Sequence, residues 1–92
     1  MYGVKMGYDR KYGKVTLEHG NIGEDEPVVV FRARDIVLPE ILAYYVLRCL
    51  KKGSPRRHIN IILNTLDVIK EWQSKNTTKI PDSETSKQWM TE

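Results

Sequence analysis

Leu38-Pro39-Glu40-Ile41-Leu42-Ala43-Tyr44-Tyr45-Val46-Leu47-Arg48-Cys49-Leu50-Lys51-Lys52-Gly53-Ser54-Pro55 is the stretch from which the fold can be read. Pro39 suits the first helical position, where a missing N–H loses no bond. The run predicts a helix from Leu38 to about Lys52, ended by Gly53 in the left-handed conformation that glycine adopts freely. Ser54-Pro55 restarts a helix at once, serine as N-cap and proline at the first position. This second helix is expected to run to about Ser74, with Ile59, Ile62, Leu63, Leu66, Ile69 and Trp72 forming one apolar stripe. So short a link makes the helices neighbours, packed antiparallel.

The first helix carries more apolar surface than one stripe. From Ile41 to Leu50 every residue except Arg48 is apolar or aromatic. The sheet and the second helix cover about half of such a circumference, and the rest needs other cover. A subunit interface through Tyr44 and Leu47 is the expectation; the bland alternative is wrapping by the N-terminal hairpin and the C-terminal tail.

Upstream of the helices the pattern changes. Tyr8-Asp9-Arg10-Lys11-Tyr12-Gly13 reads as a turn flanked by aromatic strand residues. Lys14 to Glu18 alternates polar and apolar residues and predicts a short half-buried strand. Pro27 introduces Val28-Val29-Val30-Phe31-Arg32-Ala33-Arg34, whose β-branched content predicts a central strand. Period two would place Arg32 and Arg34 on one face, about 7 Å apart. Asp35 is expected to cap the turn that leaves the strand, and Ile80 of Lys79-Ile80-Pro81-Asp82 to dock on the core. The fold class is therefore α+β: a short N-terminal antiparallel β-sheet followed by an antiparallel helical hairpin. A single domain is expected over residues 1–82, with residues 83–92 as a flexible or partner-docked tail.

Composition narrows the function classes. With 92 residues the chain makes one small domain, and its lone Cys49 permits no intrachain disulfide. Two histidines make a His/Cys metal site implausible, and no cofactor motif is present. A small domain without such staples can gain stability by burying surface against copies of itself. The net charge of +3 is too small for a dedicated DNA-wrapping protein, so nucleic-acid binding is a weak third reading. No run approaches the roughly 20 apolar residues that cross a bilayer. The opening residues lack a signal-peptide pattern, and with the lone cysteine this leads to the cytoplasm as the expected location.

Catalysis is not expected. Cys49 lies deep in the first helix, where a thiol is ordinarily a small buried apolar group. His19 and His58 belong to no catalytic pattern, and an exposed acidic turn is the default for Glu24, Asp25 and Glu26. The arginines carry more information. Arg56 and Arg57 fall in the opening turn of the second helix, where cations oppose the helix dipole. An anion held by backbone N–H groups and both guanidiniums would relieve that conflict, as would plain solvation. Tyr8 and Tyr12 have the chemistry to stack on a base, although aromatics in short strands are more often core. Asn60 is a weaker polar candidate.

Phe31-Arg32-Ala33-Arg34-Asp35, Trp72-Gln73 and Lys79-Ile80-Pro81-Asp82 come in an order that resembles a group of small, poorly characterised bacteriophage and prophage proteins. Their pattern is Glu-Pro, a strand ending in Arg-Ala-x-Asp, a Pro-started helix, Gly, a second helix, Trp, then Lys-x-Pro-Asp. Here it covers Glu26 to Asp82. The resemblance implies a phage-encoded accessory protein that acts in the host cytoplasm. Many of these counter host defence, and some are oligomeric sponges for nucleotide messengers; Thoeris anti-defence sponges have a similar layout.

Together these readings lead to a non-catalytic, homo-oligomeric protein that sequesters a small anionic, cyclic nucleotide at a subunit junction. Arg32, Arg34, Arg56 and Arg57 would hold phosphates, and Tyr8 or Tyr12 would stack on the base. The alternative is an inhibitor of a host defence or replication enzyme. Its contact would be the loop Glu24 to Glu26, or the tail with Trp89 and Met90.

Overall fold

The computed structural model describes residues 7–23 and 25–83. It contains a two-stranded antiparallel sheet, β1 (Tyr8–Asp9) and β2 (Gly13–Lys14), followed by α1 (Leu38–Lys52) and α2 (Arg56–Lys75). The α+β class and the helical hairpin are as the sequence predicts. The described residues up to Val30, with Asp82 and Ser83, form one compact unit and Phe31–Pro81 another. Apart from Ser83, the tail lies outside the described residues, as does Glu24 of the acidic loop.

In the first unit Tyr8 pairs with Lys14 and Asp9 with Gly13. Gly13 closes the turn at φ 94°, a conformation that costs a residue with a Cβ. Asp9 holds the turn together. Its Oδ1 accepts the N–H groups of Lys11 at 2.8 Å and Tyr12 at 2.7 Å, and its Oδ2 accepts that of Val30 at 2.6 Å. Gly7 packs so close to Ile22 that an added Cβ would lie 2.6 Å from the Ile22 Cδ1.

The expected central strand from Val28 to Arg34 does not form. Pro27 makes one isolated bridge to Tyr8, Val28 donates to the Tyr8 carbonyl at 3.3 Å, and Ala33–Arg34 is already a turn. The physical reason is that no segment of comparable length pairs with it among the described residues. A ladder needs a neighbour of comparable length, and β1 is two residues long. The strand expected over Lys14–Glu18 is likewise reduced to Gly13–Lys14, with Val15 donating to the Gly7 carbonyl at 2.9 Å.

In the second unit Asp35 behaves as predicted, its Oδ1 accepting the Val37 N–H at 2.8 Å. Pro39 sits in the first turn of α1, and Gly53 ends it at φ 85° with its N–H on the Cys49 and Leu50 carbonyls. Ser54 does not cap α2. Its N–H closes α1 on the Cys49 carbonyl at 2.9 Å, while Pro55, extended at ψ 148°, is the N-cap: its carbonyl accepts the His58 and Ile59 N–H groups, and α2 begins at Arg56 with no side-chain cap. Val46 and Cys49 of α1 cluster with Ile59 of α2, with Ile62 packed on them, and Leu38, Leu66 and Ile69 are buried as well. Each buried Leu, Ile or Val is worth about 1.5–3 kcal/mol over exposure. Leu63 and Trp72, expected on this stripe, stand on its exposed edges instead.

Lys79-Ile80 docks by backbone rather than by side chain. The Lys79 N–H donates to the Arg34 carbonyl at 2.8 Å and its carbonyl accepts the Ile36 N–H at 3.1 Å, while Ile80 is exposed.

Candidate interaction surface

The two arginine pairs stand apart. Arg32 and Arg34 are exposed, on a segment that α2 grips from its far end: Gln73 Nε2 donates to the Ala33 carbonyl at 2.8 Å and the Asp35 carbonyl at 3.0 Å. Arg56 and Arg57 are exposed in the first turn of α2, which contains no acidic residue. Gln73 follows Arg56 by 17 residues, or about 25 Å of helix at roughly 1.5 Å per residue. The pairs therefore occupy opposite ends of α2, and a single phosphate within one chain does not reach both. The expected 7 Å spacing of Arg32 and Arg34 assumed a strand that is absent.

Tyr8 and Tyr12 are half-buried in the first unit, with the Lys11 Nζ 5.2 Å from the Tyr12 ring centroid. Asn60 is exposed on α2.

A cluster that sequence reading missed lies near the turn between the helices. The Tyr45 hydroxyl is 3.1 Å from the His58 Nε2, and the rings meet edge to face with centroids 5.8 Å apart. A hydrogen bond with the Cys49 thiol, then the charge of that group, then burial raise the Tyr45 phenol above the usual tyrosine range. Cys49 itself is buried and part of the core. The arrangement ties α1 to α2.

What the helices expose is apolar. On α1, Ala43, Tyr44, Leu47 and Leu50 lie one residue beyond the core-facing positions or next to them, so they point away from α2. Tyr44 is 64% exposed, Leu47 58% and Leu50 57%. On α2, Ile61, Thr65, Val68 and Trp72 repeat the core stripe displaced by one residue, about 100° around the helix. Thr65 turns its hydroxyl onto the Ile61 carbonyl at 2.8 Å, leaving its methyl outward. A second period-3.6 count, offset by one, finds this stripe in the sequence.

No family model, curated protein or solved structure matches the chain. Among the described residues no helix is long and apolar enough to cross a membrane.

Proposed function

We propose that the chain is a non-catalytic binding protein that works as a homo-oligomer in the cytoplasm. The observation that carries this reading is the apolar outer surface of the helices, with Tyr44, Leu47, Leu50 and Val68 each more than half exposed. Exposed apolar patches beyond a few hundred Å² mark interaction sites on soluble proteins. Native mass spectrometry with sedimentation velocity tests it. More than one subunit per particle at about 10 µM is the expected result, and a monomer up to about 100 µM, a weak-association regime, refutes it.

A second reading, sequestration of a small phosphorylated molecule, is favoured by Arg56 and Arg57 on an uncapped helix end without acids. Because the arginine pairs are separated within a chain, such a ligand binds at one pair or at a junction between chains. The phage resemblance supplies the ligands to try: cyclic di- and trinucleotides and ADP-ribose isomers. Calorimetry is expected to give heat with one of them, lost in an Arg56→Ala, Arg57→Ala double variant. Heat unchanged in that variant removes these arginines from the site.

A further inference from the structure

We propose that the outer face of α1 is a self-complementary interface on which two copies of this chain pair antiparallel, the Glu40 of each against the Lys51 of the other. The inference rests on the self-assembly reading and names its contact.

Glu40, Tyr44, Leu47 and Lys51 recur at i, i+4, i+7 and i+11, the spacing of one stripe along a helix. All four are exposed. The stripe is acid, aromatic, aliphatic, base, and it is symmetric about the point midway between Tyr45 and Val46. A two-fold axis there places Glu40 opposite the partner's Lys51 and Tyr44 opposite the partner's Leu47. The acid–base pair then forms twice, once at each end, with the apolar contact between. Neither Glu40 nor Lys51 makes an ion pair among the described residues, so neither has to be taken from a partner.

Orientation follows from the same charges. A parallel pair sets Glu40 against Glu40 and Lys51 against Lys51, and aligns two helix dipoles side by side. The antiparallel pair removes all three repulsions. Ala43, with one methyl, lets the backbones approach, and Leu50 widens the apolar strip.

The area is sufficient. Ala43, Tyr44, Leu47, Leu50 and the stems of Glu40 and Lys51, at roughly 100 Å² apiece, come to on the order of 600 Å² per chain and 1,200 Å² per pair, the lower edge of specific interfaces. A dissociation constant on the order of micromolar suits that size. The outer stripe of α2 lacks this charge symmetry, having His58 one turn before Ile61 and Asn76 one turn after Trp72.

Sedimentation velocity on charge-swapped variants of the full chain is the test. Lys51→Glu and Glu40→Lys are each expected to weaken the dimer by on the order of tenfold at low salt, since each change replaces two attractions by two repulsions. The double swap, Glu40→Lys with Lys51→Glu, is expected to restore wild-type association to within about threefold; loss in each single swap with recovery in the double is the pattern that pairing elsewhere or in parallel does not produce, and single swaps without effect overturn this contact. Leu47→Glu is expected to give monomers with unchanged helical circular dichroism, because the side chain is exposed. A monomeric wild type overturns this inference together with the self-assembly reading. An oligomer that survives Leu47→Glu, that the double swap fails to rescue, or that only Val68→Glu dissociates overturns this contact and leaves self-assembly standing.

Discussion

Asp9→Ala is expected to remove about 3 kcal/mol from the first unit, with loss of amide protection at Lys11, Tyr12 and Val30. Asp9 is 4% exposed, and its carboxylate accepts all three of those N–H groups. A bond to a charged acceptor is worth more than a neutral one, and removing the acceptor leaves donors short of partners. Asp9→Asn keeps the shape and one carbonyl oxygen, so its loss should be about half as large. Acid distinguishes the two variants from wild type. Burial pushes the Asp9 carboxyl upward, but the N–H groups of Tyr12, Val30 and Lys11, helped by the Lys11 charge, outweigh it and hold the carboxyl below the usual range. A folded-state value below the unfolded one means that the ionised form stabilises the unit. That contribution is complete above the unfolded carboxylate value of about 4 and disappears as pH falls through the folded one. Hydrogen exchange followed from about pH 6 to about pH 3 should therefore show an acid-dependent loss in wild type that is flat in Asp9→Asn. Parallel acid profiles in the two proteins contradict this account.

Asp9 also shows where sequence reading reaches its limit. Its place in a turn was legible, because Asp-Arg-Lys-Tyr-Gly has the residues that a tight turn requires. Its reach to Val30, 21 positions away, was not. That bond lets a side chain serve a backbone N–H that a strand partner would otherwise take. The valines at 28 to 30 signalled strand by composition, but a strand is a relation between two segments, and among the described residues the second, β1, is two residues long. The helices were legible almost to the residue because their limits are local: Pro39 opens α1 and Gly53 closes it. The start of α2 slipped by one residue because Pro55 keeps an extended backbone, ψ 148°, and so serves as the N-cap and not as the first helical residue. The arginine pairs were expected to converge on one phosphorylated ligand. Their separation depends on the length of α2 and on a contact spanning 40 positions, which no short motif encodes.

That contact yields the second large effect. Gln73→Ala is expected to destabilise the hairpin unit by about 2 kcal/mol in urea denaturation, since the Ala33 and Asp35 carbonyls both lose the amide that joins them to α2. The backbone pairing of Lys79 with Arg34 and Ile36 is a separate tie on the same segment, so the loss is partial rather than complete. Gln73→Glu should be worse near neutral pH, by roughly a further 1 kcal/mol, because a carboxylate facing two carbonyl oxygens has no hydrogen to donate. Acidification then separates the two substitutions. Once protonated, the carboxyl introduced by Gln73→Glu regains one O–H donor, so the deficit of that variant relative to wild type should narrow below about pH 5, whereas that of Gln73→Ala should not. If both deficits stay constant with pH, the role of Gln73 is packing alone. If they diverge as described, this amide is what fixes the Arg32–Arg34 segment to the far end of α2, and so what keeps the two arginine pairs apart.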